Sequence, residues 1–162
     1  MITTRPATLH DVERISALLM ANAADRGGAL YGDWSVGVVG DCIAAGDLII
    51  VAIDGAHLLG VLFTSEKARA SAPPVLAMLA AWPSSADAYV YGPVCIDQAA
   101  RGKGVLEALH ADLVTRRPGR EAILFIKANN PRSLRAHVRL GMVQVASFMV
   151  DGEVFAVLSD RS

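Results

Sequence analysis

The chain has 162 residues, 53% of them hydrophobic and 19% charged, with a formal net charge of −1. That length suits one domain, here residues 1–162, better than two. The near-neutral charge argues against nucleic acid as a partner, and no apolar run reaches the roughly 18 residues that a membrane helix needs.

The opening MITTR reads as a short strand that stops at Pro6. Val12, Ile15, Leu18 and Leu19 then recur at helical spacing, and Gly27 and Gly28 are the expected helix end. No apolar leader segment is visible, so no signal peptide is expected. Val36, Val39 and Ile43 share a face of a second, weaker helix interrupted by Gly37 and Gly40. Two apolar runs around DGAH predict a β-hairpin. The Ala- and Pro-rich stretch from Glu66 to Asp87 predicts a loop and a short packed helix. AYVYGPVCI is a strand, and a helix follows with Val105, Leu106, Leu109 and Leu113 inward. AILFI predicts a fully buried strand. PRSLRAHVRL predicts a helix with Pro131 in its first turn and Gly141 at its end. The last residues form a hairpin with Asp151-Gly152 at the turn. The order predicts an α/β (α+β) fold around a mixed, mostly antiparallel sheet of about six to seven strands. Cys42 and Cys95 are far apart and form no CxxC pair, which fits a reducing cytoplasmic setting.

RGKG, at 101–104, joins the central strand to the following helix. The first N–H groups of a helix lack internal partners and carry the positive end of its dipole. Gly102 and Gly104 let backbone approach a ligand, and Arg101 and Lys103 add charged donors. Together these suit a phosphate or pyrophosphate. A dinucleotide fingerprint would need a third glycine at Glu107 and a place after the first strand. A Walker A loop would need Gly-Lys-Ser/Thr, and neither pattern is present.

The loop resembles the acyl-CoA pyrophosphate motif of the GNAT (Gcn5-related N-acetyltransferase) superfamily, Gln/Arg-x-x-Gly-x-Gly/Ala, in its form Arg-Gly-x-Gly. Leu106 replaces the last small residue. Downstream, NNPRSLRAHVRLGM is similar to the family's Asn-x-x-Ser/Ala-x-x-x-Tyr-x-x-x-Gly-Phe: Asn130, Ser133 and Gly141 match, Met142 replaces the Phe, and His137 takes the Tyr position. The resemblance spans nearly the whole chain. It implies the GNAT acyl-CoA N-acyltransferase fold, acetyl-CoA as cosubstrate, no metal, and direct transfer of acetyl to an amine in a ternary complex.

The residue roles follow from the same resemblance. Val94, Cys95 and Ile96 would pair by backbone with pantetheine, and the amides of Arg101, Gly102, Lys103, Gly104 and Val105 would meet the pyrophosphate. Asn130, Arg132 and Ser133 would contact pantetheine or the adenosine phosphate. His137 would be the general acid in place of Tyr, since imidazole titrates near neutral pH. Tyr31, Trp34, Tyr89 and Tyr91 are candidates for the acceptor side, and Asp87 and Glu66 are possible bases. The acceptor expected is a small or amino-acid-like amine. The apolar surplus and terminal hairpin suit a homodimer, and no nucleic-acid or membrane partner is expected. A non-catalytic acyl-CoA sensor is the alternative function.

Other residues have plainer readings. Cys95 reads as a small buried hydrophobe rather than a nucleophile. His10, His57 and His110 lack metal-ligand spacing. Arg116, Arg117 and Arg120 read as a solvated helix end. Arg132, Arg135 and Arg139 are either a phosphate-facing stripe or a solvated one.

Overall fold

The structure, a computed structural model, describes residues 1–23 and 32–161. Its strands are β1 (Thr3–Pro6), β2 (Ile49–Asp54), β3 (His57–Glu66), β4 (Tyr89–Ile96), β5 (Ala122–Lys127), β6 (Val143–Val150) and β7 (Glu153–Ser159). Its helices are α1 (Val12–Ala21), α2 (Val36–Ala44), α3 (Pro73–Ala81), α4 (Val105–Arg116) and α5 (Pro131–Arg139). The strands form a mixed sheet in the order β1-β2-β3-β4-β5-β7-β6, with β4 and β5 parallel and β1–β2, β2–β3, β5–β7 and β6–β7 antiparallel. The predicted class and strand count hold. The chain divides into two compact units, Met1–Thr64 with Gly92–Pro118, and Ser65–Tyr91 with Gly119–Ser162. β4 runs from the second unit into the first.

In the first unit, β1, β2 and β3 are antiparallel. The DGAH hairpin closes with Asp54 opposite His57. Ile15, Leu19, Val39, Val51 and Val61 form a core whose members are fully buried, with Cys95 at its edge. The start of α1 is fixed by Asp11. Its buried carboxylate takes hydrogen bonds from the Arg5 and Arg14 guanidiniums and from the Thr8 N–H. The Arg5 bonds hold the Asp11 carboxyl well below its ordinary range despite burial. α1 ends at Ala21, with Asn22 as C-cap, earlier than the glycines predict. Asn22 ends it because its amide turns back onto the Leu18 carbonyl. Gly27 and Gly28 lie outside the described residues. α2 starts at Ser35, whose hydroxyl accepts from the Val38 N–H. Val36 sits in its first turn and is half exposed rather than inward.

In the second unit, α3 packs on β5 and β6. Met78, Val90, Ile123 and Val157 make its core. β5 is buried except at Phe125 and Lys127, which are half-buried. Phe125, Phe148 and Phe155 meet as one aromatic group there. The parallel ladder of β4 and β5 has two pairs, Tyr89 with Ala122 and Val90 with Ile123. The Asp151-Gly152 turn has positive φ at both residues, as a tight hairpin of this twist requires.

Candidate active site

In the first unit, β4 runs through Gln98–Ala100, a single 3-10 turn, into the loop before α4. Gly102 and Gly104 have φ of 75° and 84°. A Cβ at either would meet nothing within 4 Å. Packing therefore does not demand glycine at these positions, whereas the left-handed backbone does. Gly104 is the N-cap of α4 and offers no side-chain acceptor, so the first N–H groups of the helix stay uncapped. Lys103 is exposed beside them. A cavity of about 340 Å³ borders the loop, walled by Leu58, Leu59, Ala100 and Val105, with Lys103, His57 and the carboxylates of Asp54 and Asp97 at its side. Open space, orphan donors and a cation are the features a pyrophosphate needs.

Arg101 points elsewhere. Its guanidinium donates to the Asn22 side-chain oxygen at 2.9 Å, and its Nε–H donates to the Ile96 carbonyl at 3.4 Å. The loop is thereby tied to the end of α1, and the Arg101 backbone N–H donates to the Gln98 carbonyl at 3.4 Å. Nothing in the sequence links Asn22 to Arg101, since they are far apart along the chain. Gly60 also went unread, although a glycine inside a strand is a known sign of close approach. A Cβ there would meet Ile96 Cδ1 at 2.9 Å, Val105 Cγ1 at 3.0 Å and the Cys95 carbonyl at 3.1 Å. Its bareness lets β3 sit against the strand end and helix start that carry the loop. Cys95 is buried, and burial raises its thiol to about 11 even though Arg101 lowers it. Val94 and Ile96 are half-buried. Val105, Leu109 and Leu113 are the buried face of α4, and Leu106 is half-buried. Trp34 is half-buried and tilted on Phe63, with ring centroids 4.9 Å apart. Its carbonyl accepts from the Ser16 hydroxyl at 2.6 Å. Tyr31 lies outside the described residues.

In the second unit, Tyr91 and His137 come together, 46 residues apart in sequence and both buried. The Tyr91 oxygen lies 3.0 Å from His137 Nε2, with the rings edge to face. His137 Nδ1 lies 2.8 Å from the Ser133 carbonyl. A carbonyl only accepts, so Nδ1 carries a proton and donates it. In the neutral ring Nε2 is then the acceptor, and the Tyr91 O–H donates to it. Burial drives the Tyr91 phenol far above its ordinary range, so it stays protonated. Tyr91 is the first β4 residue beyond the two-pair ladder. Asn130 caps α5, its side-chain oxygen accepting from the Ser133 N–H at 3.3 Å. Arg132 is exposed.

The candidate bases are placed too. Glu66 pairs with the Arg120 guanidinium at 2.8 Å, and the Asp87 carbonyl accepts from Arg120 Nε–H. Arg120 also lies over the Tyr89 ring, 5.3 Å from its centroid, and is therefore anchored rather than merely solvated. Tyr89 itself is 2% exposed. Among the described residues no group of three or more His, Cys, Asp or Glu could hold a metal, and no helix is long and apolar enough to cross a membrane.

Solved structures share this architecture across nearly their full length. An N-acetyltransferase from Staphylococcus aureus superimposes with a TM-score of 0.74 at 17% identity, over 98% of this chain and 97% of that one. The fold is that of the GNAT N-acetyltransferases. The yncA protein of Salmonella typhimurium, solved with its cofactor acetyl-CoA, gives a TM-score of 0.72 at 17% identity over 98% and 92% of the two chains. The ribosomal-protein-S18-alanine N-acetyltransferase of Escherichia coli gives 0.71 at 14% identity, over 98% and 92%. No family model and no curated protein matches the chain. The GNAT likeness thus lies in backbone architecture, at low sequence identity.

Proposed function

We propose that this chain is an N-acetyltransferase that moves acetyl from acetyl-CoA directly to the amine of a small, amino-acid-like acceptor. The observation that carries the reading is the loop 101–105. Two left-handed glycines with open space beside them lead into a helix whose first N–H groups are uncapped, in a chain with the fold of N-acetyltransferases. The acetyl-CoA held by the relative yncA supports the choice of donor. Another relative is a ribosomal-protein-S18-alanine N-acetyltransferase, and alanine belongs to the amino-acid-like class.

Acetyl-CoA supplies the thioester: the amine nitrogen attacks its carbonyl carbon, the C–S bond breaks, and one proton must pass from nitrogen to the departing sulfur. The amides of residues 102–105 bind the pyrophosphate, and Lys103 offsets its charge. Arg101 holds the loop in place through Asn22. Val94, Cys95 and Ile96 offer backbone to pantetheine, and Asn130, Arg132 and Ser133 take the further contacts that the resemblance implies. His137 works through Tyr91. Its Nε2 lone pair faces the Tyr91 hydroxyl, so Tyr91 passes its proton to Nε2 as it accepts one from the amine, and the reverse shift delivers a proton to the thiolate. The Ser133 carbonyl steadies the imidazolium formed in between. Trp34, half-buried, is assigned to the acceptor side; Tyr89, 2% exposed beneath Arg120, is not.

Calorimetric titration with acetyl-CoA, together with thiol release against a panel of amines, tests the proposal. Wild type should bind in the micromolar range. Lys103→Glu should bind about tenfold more weakly, the ~1.4 kcal/mol of one lost charge contact. Absence of binding to wild type would refute it.

A further inference from the structure

The cavity beside the 101–105 loop is not lined for an anion alone. Its walls include Ile2, Leu58, Leu59 and Val105, all apolar. Its charged lining carries Lys103 and His57, but also Asp54 and Asp97. Carboxylates repel phosphate, so the pyrophosphate belongs on the loop amides and the interior suits another occupant.

Asp97 and Lys103 define that occupant. Asp54 is already engaged, since it accepts from the Met1 amino group at 2.9 Å. Asp97 is not. It stands at the N-cap of the turn Gln98–Ala100, where an aspartate ordinarily bonds a backbone N–H, yet its side chain caps nothing. Only its backbone is held: the N–H donates to the Leu59 carbonyl at 2.8 Å, and the carbonyl accepts from the Ala100 N–H at 2.9 Å. The carboxylate is half-buried and has no hydrogen-bond or ion-pair partner among the described residues. The exposed Lys103 ammonium has none either. An unpaired carboxylate and an unpaired ammonium on one apolar cavity complement a molecule with both charges and an apolar tail.

We infer that the cavity binds a zwitterionic α-amino acid with an aliphatic side chain. Its ammonium meets Asp97, its carboxylate meets Lys103, and its tail lies on Leu58, Leu59 and Val105. A volume of about 340 Å³ is at the small end of ligand pockets and suits one amino acid. This molecule is an effector and not the acetyl acceptor, because the cavity borders the pyrophosphate loop, a pantetheine arm away from the thioester. It draws Lys103 from the pyrophosphate and so weakens acetyl-CoA binding. By linkage, acetyl-CoA weakens its binding by the same factor. This coupling, unlike the site itself, rests on the proposed function.

Titration of the isotope-labelled chain with L-leucine, followed by amide chemical shifts, decides it. L-Leucine should bind in the millimolar range and move the Leu59 and Ala100 amides. Isoamylamine lacks the carboxylate and isocaproate lacks the ammonium, so each should bind at least about tenfold more weakly. Asp97→Asn keeps the side-chain shape; it should lose at least about tenfold in leucine affinity and bind acetyl-CoA no less tightly than wild type. Saturating L-leucine should weaken acetyl-CoA binding about fivefold in calorimetry. A wild-type spectrum that leucine leaves unchanged would overturn the site. Either half-molecule binding as tightly as leucine would overturn it too, as would Asp97→Asn binding leucine as wild type does. Leucine that binds without changing acetyl-CoA affinity would overturn the effector role. A chain that binds leucine but no acetyl-CoA would refute the donor reading and uphold the site.

Discussion

Glu121→Gln removes one charge from the clamp that holds β5 to the entry of β4, and the cost follows from the geometry. Glu121 is 2% exposed, yet its carboxylate accepts four hydrogen bonds. One oxygen takes the Ser85 N–H at 2.7 Å and the Ser85 hydroxyl at 2.9 Å; the other takes the Trp82 indole N–H at 3.0 Å and the Ser159 hydroxyl. Burial alone would raise the carboxyl, but these donors outweigh it and bring it from 4.5 to about 2. At ~1.4 kcal/mol per pH unit, the gap is worth about 3 kcal/mol. Because the folded value is depressed, this stability is complete above 4.5 and is lost as pH falls toward about 2. Glutamine keeps the shape but turns one oxygen into an NH₂. Hydroxyls can rotate to accept from it; the Ser85 main-chain N–H and the indole N–H cannot. Urea denaturation at neutral pH should therefore show Glu121→Gln less stable by about 3 kcal/mol. The difference from wild type should shrink steadily on acidification to about pH 3. A difference that stays constant over that range would refute the reasoning, because it would mean that the charge contributes nothing.

Three further outcomes are expected. Gly104→Ala meets no atom but must hold φ at 84°, so it should cost about 1 kcal/mol in urea denaturation and weaken acetyl-CoA binding in calorimetry at least about tenfold. Gly60→Ala pushes a methyl group against Ile96, Val105 and the Cys95 carbonyl; a loss of about 1–3 kcal/mol is expected, and an unchanged melting curve would show that β3 and α4 have room to part. His137→Phe strands the buried Tyr91 hydroxyl at a cost of about 1–3 kcal/mol, and the double variant with Tyr91→Phe should recover part of that. Strictly additive losses in that double-mutant cycle would mean that the hydrogen bond carries no stability.

The elements were legible because each rests on local rules. Helical spacing located α1 and α4, Pro131 marked the start of α5, and the Asp-Gly turns fixed both hairpins. Errors fell where a neighbour outside the local pattern decided the outcome. Helical period alone would carry α1 past Ala21, but Asn22 stops it by bonding Leu18 and holding Arg101. Val36 fits the apolar face on paper, yet in the first turn of α2 it stays half exposed.

The same limit separates the loop of the first unit from the histidine of the second. The loop 101–105 is a property of consecutive residues: its glycines set the backbone, and the backbone sets the donors, so RGKG could be read as an anion cradle without any fold. The Tyr91–His137–Ser133 chain is a property of packing. The motif resemblance singled out His137, but it could not say which atom the imidazole would face. Burial supplies the answer, because a ring with 1% exposure must satisfy both nitrogens internally. The Ser133 carbonyl takes the Nδ1 proton, which leaves Nε2 able only to accept, and Tyr91 is the donor that reaches it. The buried Tyr91 hydroxyl of β4 is thus held by His137 of α5.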